Sequence, residues 1–395
     1  MKPLRDHPIG AIVLAQLLGT SLWFSPNSAA PSLAQAWQLS TAQLGYLTSA
    51  TQLGFILGTL MMATTGWADR FSASRMFAMA SLLGASLNAS FALWATDVGQ
   101  ALVLRFAVGV SLAGIYPLGM KMVIAWTRGG AGSTLGLLVA MLTLGSALPH
   151  AVRAAGVGLA WQSVVLTSSV LALLGGVVIG LLGDGPHLPP ASARRSMKWG
   201  AAWRAFSDPR FRASAFGYFG HMWELYAFWT LAPFLVADVV QQGSWGVRDS
   251  ASLISALTFA VMAMGALGAV LAGHLSRRFG SPWMAAVALC ISGLMCGAYP
   301  WMKPLGAYAC LATLLVWGMA VVADSAQFSA VSAQVCPPEW VGAALAIQNS
   351  IGFFITVFSI TWVTSVLPVV GSNVTWLLLP GPVLGLFFFR RLLGK

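Results

Sequence analysis

Two short loops, Gly66-Trp67-Ala68-Asp69-Arg70-Phe71 and Gly273-His274-Leu275-Ser276-Arg277-Arg278-Phe279-Gly280, carry the same glycine-to-basic pattern between long apolar stretches. They lie 207 residues apart in a chain of 395. The offset recurs elsewhere: Pro26 and Pro233 are also 207 apart, and the Gly109 and Gly318 stretches are 209 apart. The chain therefore reads as two related halves.

Composition fixes the class of those halves. With 58% apolar residues, 8% charged residues and a mean hydropathy of +0.79, the chain cannot present a water-exposed globular surface. A spanning helix needs about 20 mostly apolar residues. Such stretches run over 8–31, 41–64, 75–95, 99–126, 133–157, 161–183, 211–237, 250–274, 281–301, 305–331, 342–366 and 372–390. The expected fold is an all-α membrane protein with twelve transmembrane helices in two pseudo-symmetric six-helix bundles, 1–183 and 211–395, joined by a cytoplasmic linker, 184–210. The first stretch follows Lys2 and Arg5, as a signal peptide would, but it carries Pro26 and Asn27 and lacks a short apolar core with a cleavage site, so it reads as a retained helix. The four cysteines, Cys290, Cys296, Cys310 and Cys336, have no paired spacing and read as small apolar packing residues.

Basic residues give the orientation. With the N-terminus inside, Lys2, Arg5, Arg70, Arg75, Arg128, Arg194, Arg195, Lys198, Arg204, Arg210, Arg212, Arg277, Arg278, Arg390, Arg391 and Lys395 are all cytoplasmic, and only Arg248 and Lys303 fall outside. Both termini are then expected inside, with the protein in a bacterial inner membrane. The net charge of +11 is accounted for by these topology determinants, and nucleic acid is not an expected partner. In the linker, three prolines (Pro186, Pro189, Pro190) precede a basic run, and Trp199–Phe206 has the pattern of a short amphipathic surface helix.

The first loop, with Gly66, Asp69 and Arg70 followed by Arg75, reads Gly-x-x-Asp-Arg and resembles, one residue shorter, the Gly-x-x-x-Asp-Arg signature of the major facilitator superfamily; the resemblance covers nearly the whole chain. It implies alternating access between two bundles, with the loop acid and its basic neighbours acting as a conformational latch. The second copy keeps Arg277 and Arg278 but has Ser276 where an acid would stand. Arg105 with Gly109 resembles the superfamily's second signature, where the arginine is linked to proton coupling; a tie to backbone carbonyls is the structural alternative. The fifth helix reads Thr143-Leu144-Gly145-Ser146-Ala147-Leu148-Pro149-His150, without the Gly-Pro-x-x-Gly-Gly element of drug/proton antiporters. The chain is loosely similar to members grouped with the nitrate/nitrite branch but lacks the nitrate signatures.

The resemblance also implies that helices one, four, seven and ten line a central cavity. The polar and aromatic residues they bring are Trp23 and Asn27, Tyr116 and Lys121, Trp223 and Tyr226, and Gln327, which form the expected substrate site. His221 and Glu224 are three apart and share a helix face. A carboxylate in hydrocarbon pays a large desolvation cost, and a neighbouring imidazole can exchange a proton with it, so these two residues, with Asp324 and Arg105, are the expected proton-coupling groups. Asp324 and Lys121 lie at matching depth and can pair across the halves. His150 and Arg153 are candidates for an outer gate or an anion attractor.

The expected activity is proton-coupled uptake of a small polar or anionic organic solute by a monomer. Its partners are the solute, protons and the lipid bilayer; no cofactor or resident metal is implied, and no enzyme signature is present. Two alternatives stay open. Met120, Met122, Met222, Met262, Met264 and His221 prompt a copper importer, and an aromatic cavity with acidic residues also suits drug or metabolite efflux.

Overall fold

In the computed structural model, residues 2–127, 132–156, 159–187, 203–245, 250–337 and 341–394 are described. Every regular element among them is helical. In the first half these are α1 (Lys2–Asp6), α2 (Pro8–Thr20), α3 (Ser25–Ser28), α4 (Ala30–Trp37), α5 (Thr41–Thr65), α6 (Trp67–Arg70), α7 (Ala73–Trp94), α8 (Val98–Leu112), α9 (Tyr116–Trp126), α10 (Gly132–Ala155) and α11 (Trp161–Leu182). In the second they are α12 (Pro209–Gln242), α13 (Ser250–Phe279), α14 (Ser281–Met302), α15 (Ala307–Ala323), α16 (Ser325–Val335), α17 (Val341–Val370) and α18 (Pro380–Phe389).

Ten helical segments among the described residues are long and apolar enough to cross a membrane. The protein is a multi-pass integral membrane protein. The first expected crossing is broken into α2, α3 and α4. The last segment, Val341–Leu392, contains the two final stretches and turns back at Gly371, whose φ is +56°. Residues such as Met79, Val103, Leu294 and Leu384 are more than half exposed on its outside, an apolar surface suited to hydrocarbon. Short polar caps end the helices: Ser40 and Gln43 form a capping box on α5, and Asp97 and Asp208 cap α8 and α12.

Within each half the tightest crossings are made by glycine. Gly54 and Gly109 bring α5 and α8 so close that a methyl group on Gly109 would strike the Thr51 carbonyl. Gly268 and Gly318 do the same for α13 and α15, where a methyl on Gly318 would strike the Val261 carbonyl. The Gly109 and Gly318 repeat thus marks one structural device used twice, the close backbone approach that membrane helices need to gain packing energy. Helices before residue 184 pack mainly on each other, as do those after 209. Two seams join the sets, α10 against α13 and α5 against α17.

The two loops that first suggested the repeat are not equivalent. Gly66 ends α5 in the left-handed region (φ +67°), with its N–H bonded to the Met62 carbonyl. Gly273 lies inside α13, which continues to Phe279 and turns only at Gly280 (φ +84°). The pattern match is therefore offset by about two helical turns from the structural one. The Asp69 side chain lies outside the described part of the structure, as does most of the linker. Of the Trp199–Phe206 segment, 203–206 are described: Trp203 is exposed and Phe206 packs edge-on against Phe211 at 5.0 Å.

Candidate functional site

The site begins where the first span breaks. Pro26 denies a backbone donor, and the chain passes through a turn at Ser21–Phe24 between α2 and α3, leaving carbonyls without helical partners. Arg105, fully buried on α8, fills that gap. Its Nη2 donates to the Leu22 and Trp23 carbonyls at 2.9 Å each, its Nη1 to Asn88 Oδ1 at 2.7 Å, and its Nε to Thr51 Oγ1 at 3.2 Å. Asn88 is held in turn by Ser25, Val165 and Ser169. The guanidinium is thus committed to backbone and amide groups. Its geometry is that of the structural alternative, a tie that fixes the backbone of Trp23.

Trp23 projects from this anchor into a cluster of rings drawn from both halves. Its indole N–H donates to Gln52 Oε1 at 3.1 Å. Its ring stacks on Tyr226 of α12 (5.7 Å, 27°) and Phe353 of α17 (5.9 Å, 22°), and leans on Phe55 of α5 at 4.9 Å. Phe24 and Trp229 close one side, edge to face at 5.5 Å. Asn27 binds Thr48 at 2.9 Å and lines a narrow cleft with Pro26, Leu47, Thr230, Pro233 and Phe234. Pro26 and Pro233, equivalent in the repeat, thus face one cleft from opposite halves. Tyr116, half-buried at the start of α9, lies in the neighbourhood of Tyr218 and Tyr226.

Of the residues predicted to bind solute, Trp23, Asn27, Tyr116 and Tyr226 gather at this seam. Trp223 does not: its N–H donates to the Leu377 carbonyl at 3.0 Å and its ring meets Trp362, so it faces α17 and α18. Lys121 does not either. Its Nζ donates to the Ala68 carbonyl in α6, tying α9 to the first loop instead of to Asp324. Gln327 is buried on α16, one turn beyond Asp324.

The ionisable groups of the second half are arranged differently from the expected His221–Glu224 pair. His221 Nδ1 lies 2.8 Å from Asp324 Oδ1, and its Nε2 lies 2.9 Å from Ser325 Oγ. Glu224, fully buried, turns instead to α14 and α15: its Oε1 accepts from Ser292 Oγ at 2.7 Å and from Trp317 Nε1 at 2.6 Å. Its Oε2 has no partner among the described residues. Asp324 sits at the break between α15 and α16. That break lies 209 residues after Ile115, which precedes α9 in the fourth span, so the two broken spans correspond in the repeat.

The residues expected to form a latch, Arg70, Arg75, Arg277 and Arg278, are exposed. Arg277 contacts His274 at 3.1 Å and Arg278 lies over the Phe279 ring, so the second pair's described contacts are local. Asp184 accepts from the Ser74 N–H at 2.8 Å. Partial burial opposes its charge, but that bond, the Ser72 and Ser74 hydroxyls and the Lys121 charge hold its carboxyl below its ordinary value. His150 is buried on α10, and Arg153 donates to Ser32 Oγ at 2.7 Å. Among the described residues no three His, Cys, Asp or Glu side chains are placed to hold a metal ion, and Met122 and Met262 are packed in the core.

Sequence reasoning missed Phe55, Phe353, Phe24 and Trp229 as site residues, and Trp317, Ser292 and Ser325 as partners of the ionisable groups. The aromatic residues carry no sequence signal, because apolar rings are ordinary in membrane helices.

The chain is 30% identical over 156 residues to the 4-hydroxybenzoate transporter PcaK of Pseudomonas putida (38% of this chain, 33% of that protein). It is 28% identical over 180 residues to the galacturonate transporter of Dickeya chrysanthemi (44% and 50%), and 30% over 152 residues to the 3-(3-hydroxy-phenyl)propionate transporter of Escherichia coli K12 (37% and 36%). Each match spans half or less of the curated relative. The family model of the Major Facilitator Superfamily covers residues 12–360, nearly the whole two-half architecture described above, and the chain belongs to this superfamily of membrane transporters, not enzymes.

Proposed function

We propose that this protein is an alternating-access importer that couples the uptake of a small organic acid with a flat apolar body, an aromatic carboxylic acid above all, to the entry of protons across a bacterial inner membrane. The observation that carries the reading is the ring cluster of Trp23, Phe55, Tyr226 and Phe353, contributed by four spans and both halves at the seam where alternating access must open. Stacked and tilted rings at these spacings favour a flat π-system, each contact adding about 0.5–1.5 kcal/mol beyond burial. The relatives' names support the same class, since all three name organic acids and two of those are aromatic.

Proton coupling is assigned to Glu224, His221 and Asp324. The three are buried in one half: His221 and Asp324 meet each other, Glu224 reaches Ser292 and Trp317 on neighbouring spans, and Asp324 stands at the break between α15 and α16. A proton taken up by the His221–Asp324 contact changes what holds that break, which links protonation to the shape of the tenth span. Arg105 is assigned a positioning role, holding Trp23. The basic face is taken as cytoplasmic, and residues 1–183 and 211–395 as the two moving bundles.

The test is uptake of labelled 4-hydroxybenzoate into proteoliposomes under an imposed pH gradient, inside alkaline. Accumulation that an uncoupler abolishes and benzoate competes supports the reading. Uptake that is indifferent to the gradient overturns the coupling, and uptake of galacturonate without any aromatic acid overturns the substrate class.

A further inference from the structure

The fifth span carries a stripe of polar groups that the reading above leaves unused. Ser146 Oγ, His150 Nε2 and Arg153 Nη1 are all buried atoms with no hydrogen-bond partner among the described residues. Ser146 is 0% exposed and His150 1% exposed. A buried donor or acceptor left unsatisfied costs about 1–3 kcal/mol, so three on one helix are a substantial burden unless another state uses them.

Their placement says which state. The spacing i, i+4, i+7 puts the three on one face of α10. Gly145 on the same helix packs against Leu17 and Thr20 of the first span, and Thr143 against Gly265 of the eighth. At about 100° per residue the stripe falls in the sector between those two faces. The first and eighth spans belong to different halves, so the stripe looks into the seam. Arg153 leads it towards the end away from the basic loops, where its other nitrogen holds Ser32 of α4. Near that end Ser252 of α13 donates to the Ala154 carbonyl at 2.7 Å, a tie between the two halves. When the halves part at that end, the stripe becomes one wall of the opening, a ladder of guanidinium, imidazole and hydroxyl.

We propose that Ser146, His150 and Arg153 form a carboxylate-binding subsite on the fifth span, which takes the acid group of the solute when the seam opens at the end away from the basic loops. The donors match a carboxylate: a guanidinium gives directed, charge-assisted bonds, and an imidazole N–H and a hydroxyl extend them inward towards the ring cluster. The subsite rests on the organic-acid reading of the transported solute, but its test does not depend on transport.

The experiment measures binding of benzoate and of its uncharged analogue benzamide to the purified full chain by tryptophan fluorescence, with chloride as a second anion. Arg153→Gln is expected to weaken benzoate about tenfold, the loss of one charge-assisted bond, with Arg153→Lys retaining part of the affinity and benzamide unchanged in both. Ser146→Ala is expected to weaken benzoate while leaving the melting temperature equal or higher, because it removes an unpartnered buried hydroxyl; a merely structural serine would not show that pair of effects. The proposal is overturned if the wild type binds no benzoate, if chloride competes as well as benzoate, if benzamide affinity falls in parallel, or if Arg153→Gln and Ser146→Ala both bind benzoate as the wild type does. Failure of proton-driven uptake with these binding differences intact would overturn the transport reading and not the subsite.

Discussion

At the scale of single residues, the two strongest ionisable residues of the spans do unlike things. Arg105 spends its donors on the carbonyls of Leu22 and Trp23, on Asn88 and on Thr51. Lysine has neither the fork nor the reach to replace it. Arg105→Lys is therefore expected to cost about 3 kcal/mol, the loss of charged hydrogen bonds to buried acceptors, read as a lower melting temperature in detergent. Glu224→Gln keeps an acceptor for Ser292 and Trp317, so folding should survive while the dependence of uptake on the proton gradient is lost; unchanged gradient-driven accumulation in this variant would remove Glu224 from the coupling. Trp23→Ala should weaken an aromatic acid about tenfold, with Trp23→Phe recovering much of it, as read by competition for uptake. Arg105, Glu224 and Asp324 were legible in the sequence because charge in hydrocarbon is rare. Their partners were not, because serine, tryptophan and backbone carbonyls become partners only through helix rotation and depth.

At the scale of elements, glycine decides how closely helices approach. A methyl group at Gly109 or Gly318 must push α5 from α8 or α13 from α15. Gly109→Ala and Gly318→Ala are each expected to destabilise by about 1–3 kcal/mol, with similar losses of melting temperature in both halves. The approach to α7 depends on Asp184, which caps it through Ser74. Because the carboxyl is held below its ordinary value in the folded chain, its contribution is complete above the ordinary carboxylate range and is lost as pH falls through and below it. Melting temperature plotted against pH should fall on the acid side in the wild type and be flatter there in Asp184→Asn. The broken first, fourth and tenth spans were partly legible, since Pro26 and Pro117 stand at two of them. The break at Asp324 carries no proline and shows only in the fold.

At the scale of the whole molecule, the seam is the part that the proposed alternating access has to open. At the end away from the basic face, Ser49 of α5 meets Thr361 of α17 at 3.3 Å, and Gly45 packs on Thr364. Cysteines at positions 49 and 361 should form a cross-link under oxidising conditions that stops uptake, and a reductant should restore it. A cross-linked protein that still transports would exclude opening at that seam. The buried groups of the fifth span and the amide of Gln348 on α17, without partners among the described residues, fit the same picture, since a closed seam traps polar atoms that an open one would satisfy.

The sequence by itself determined the class and the helical character of the spans, because transfer of apolar surface and of backbone amides into hydrocarbon is settled by local composition alone. It also marked where expensive charges lie. Only the tertiary structure decided which groups meet: His221 with Asp324 instead of Glu224, Lys121 with Ala68 instead of Asp324, Trp223 outside the seam and Phe55 and Phe353 within it. Those pairings depend on helix rotation, crossing angle and depth, which are set by contacts between residues far apart in the chain. The sequence pattern of one helix does not contain them.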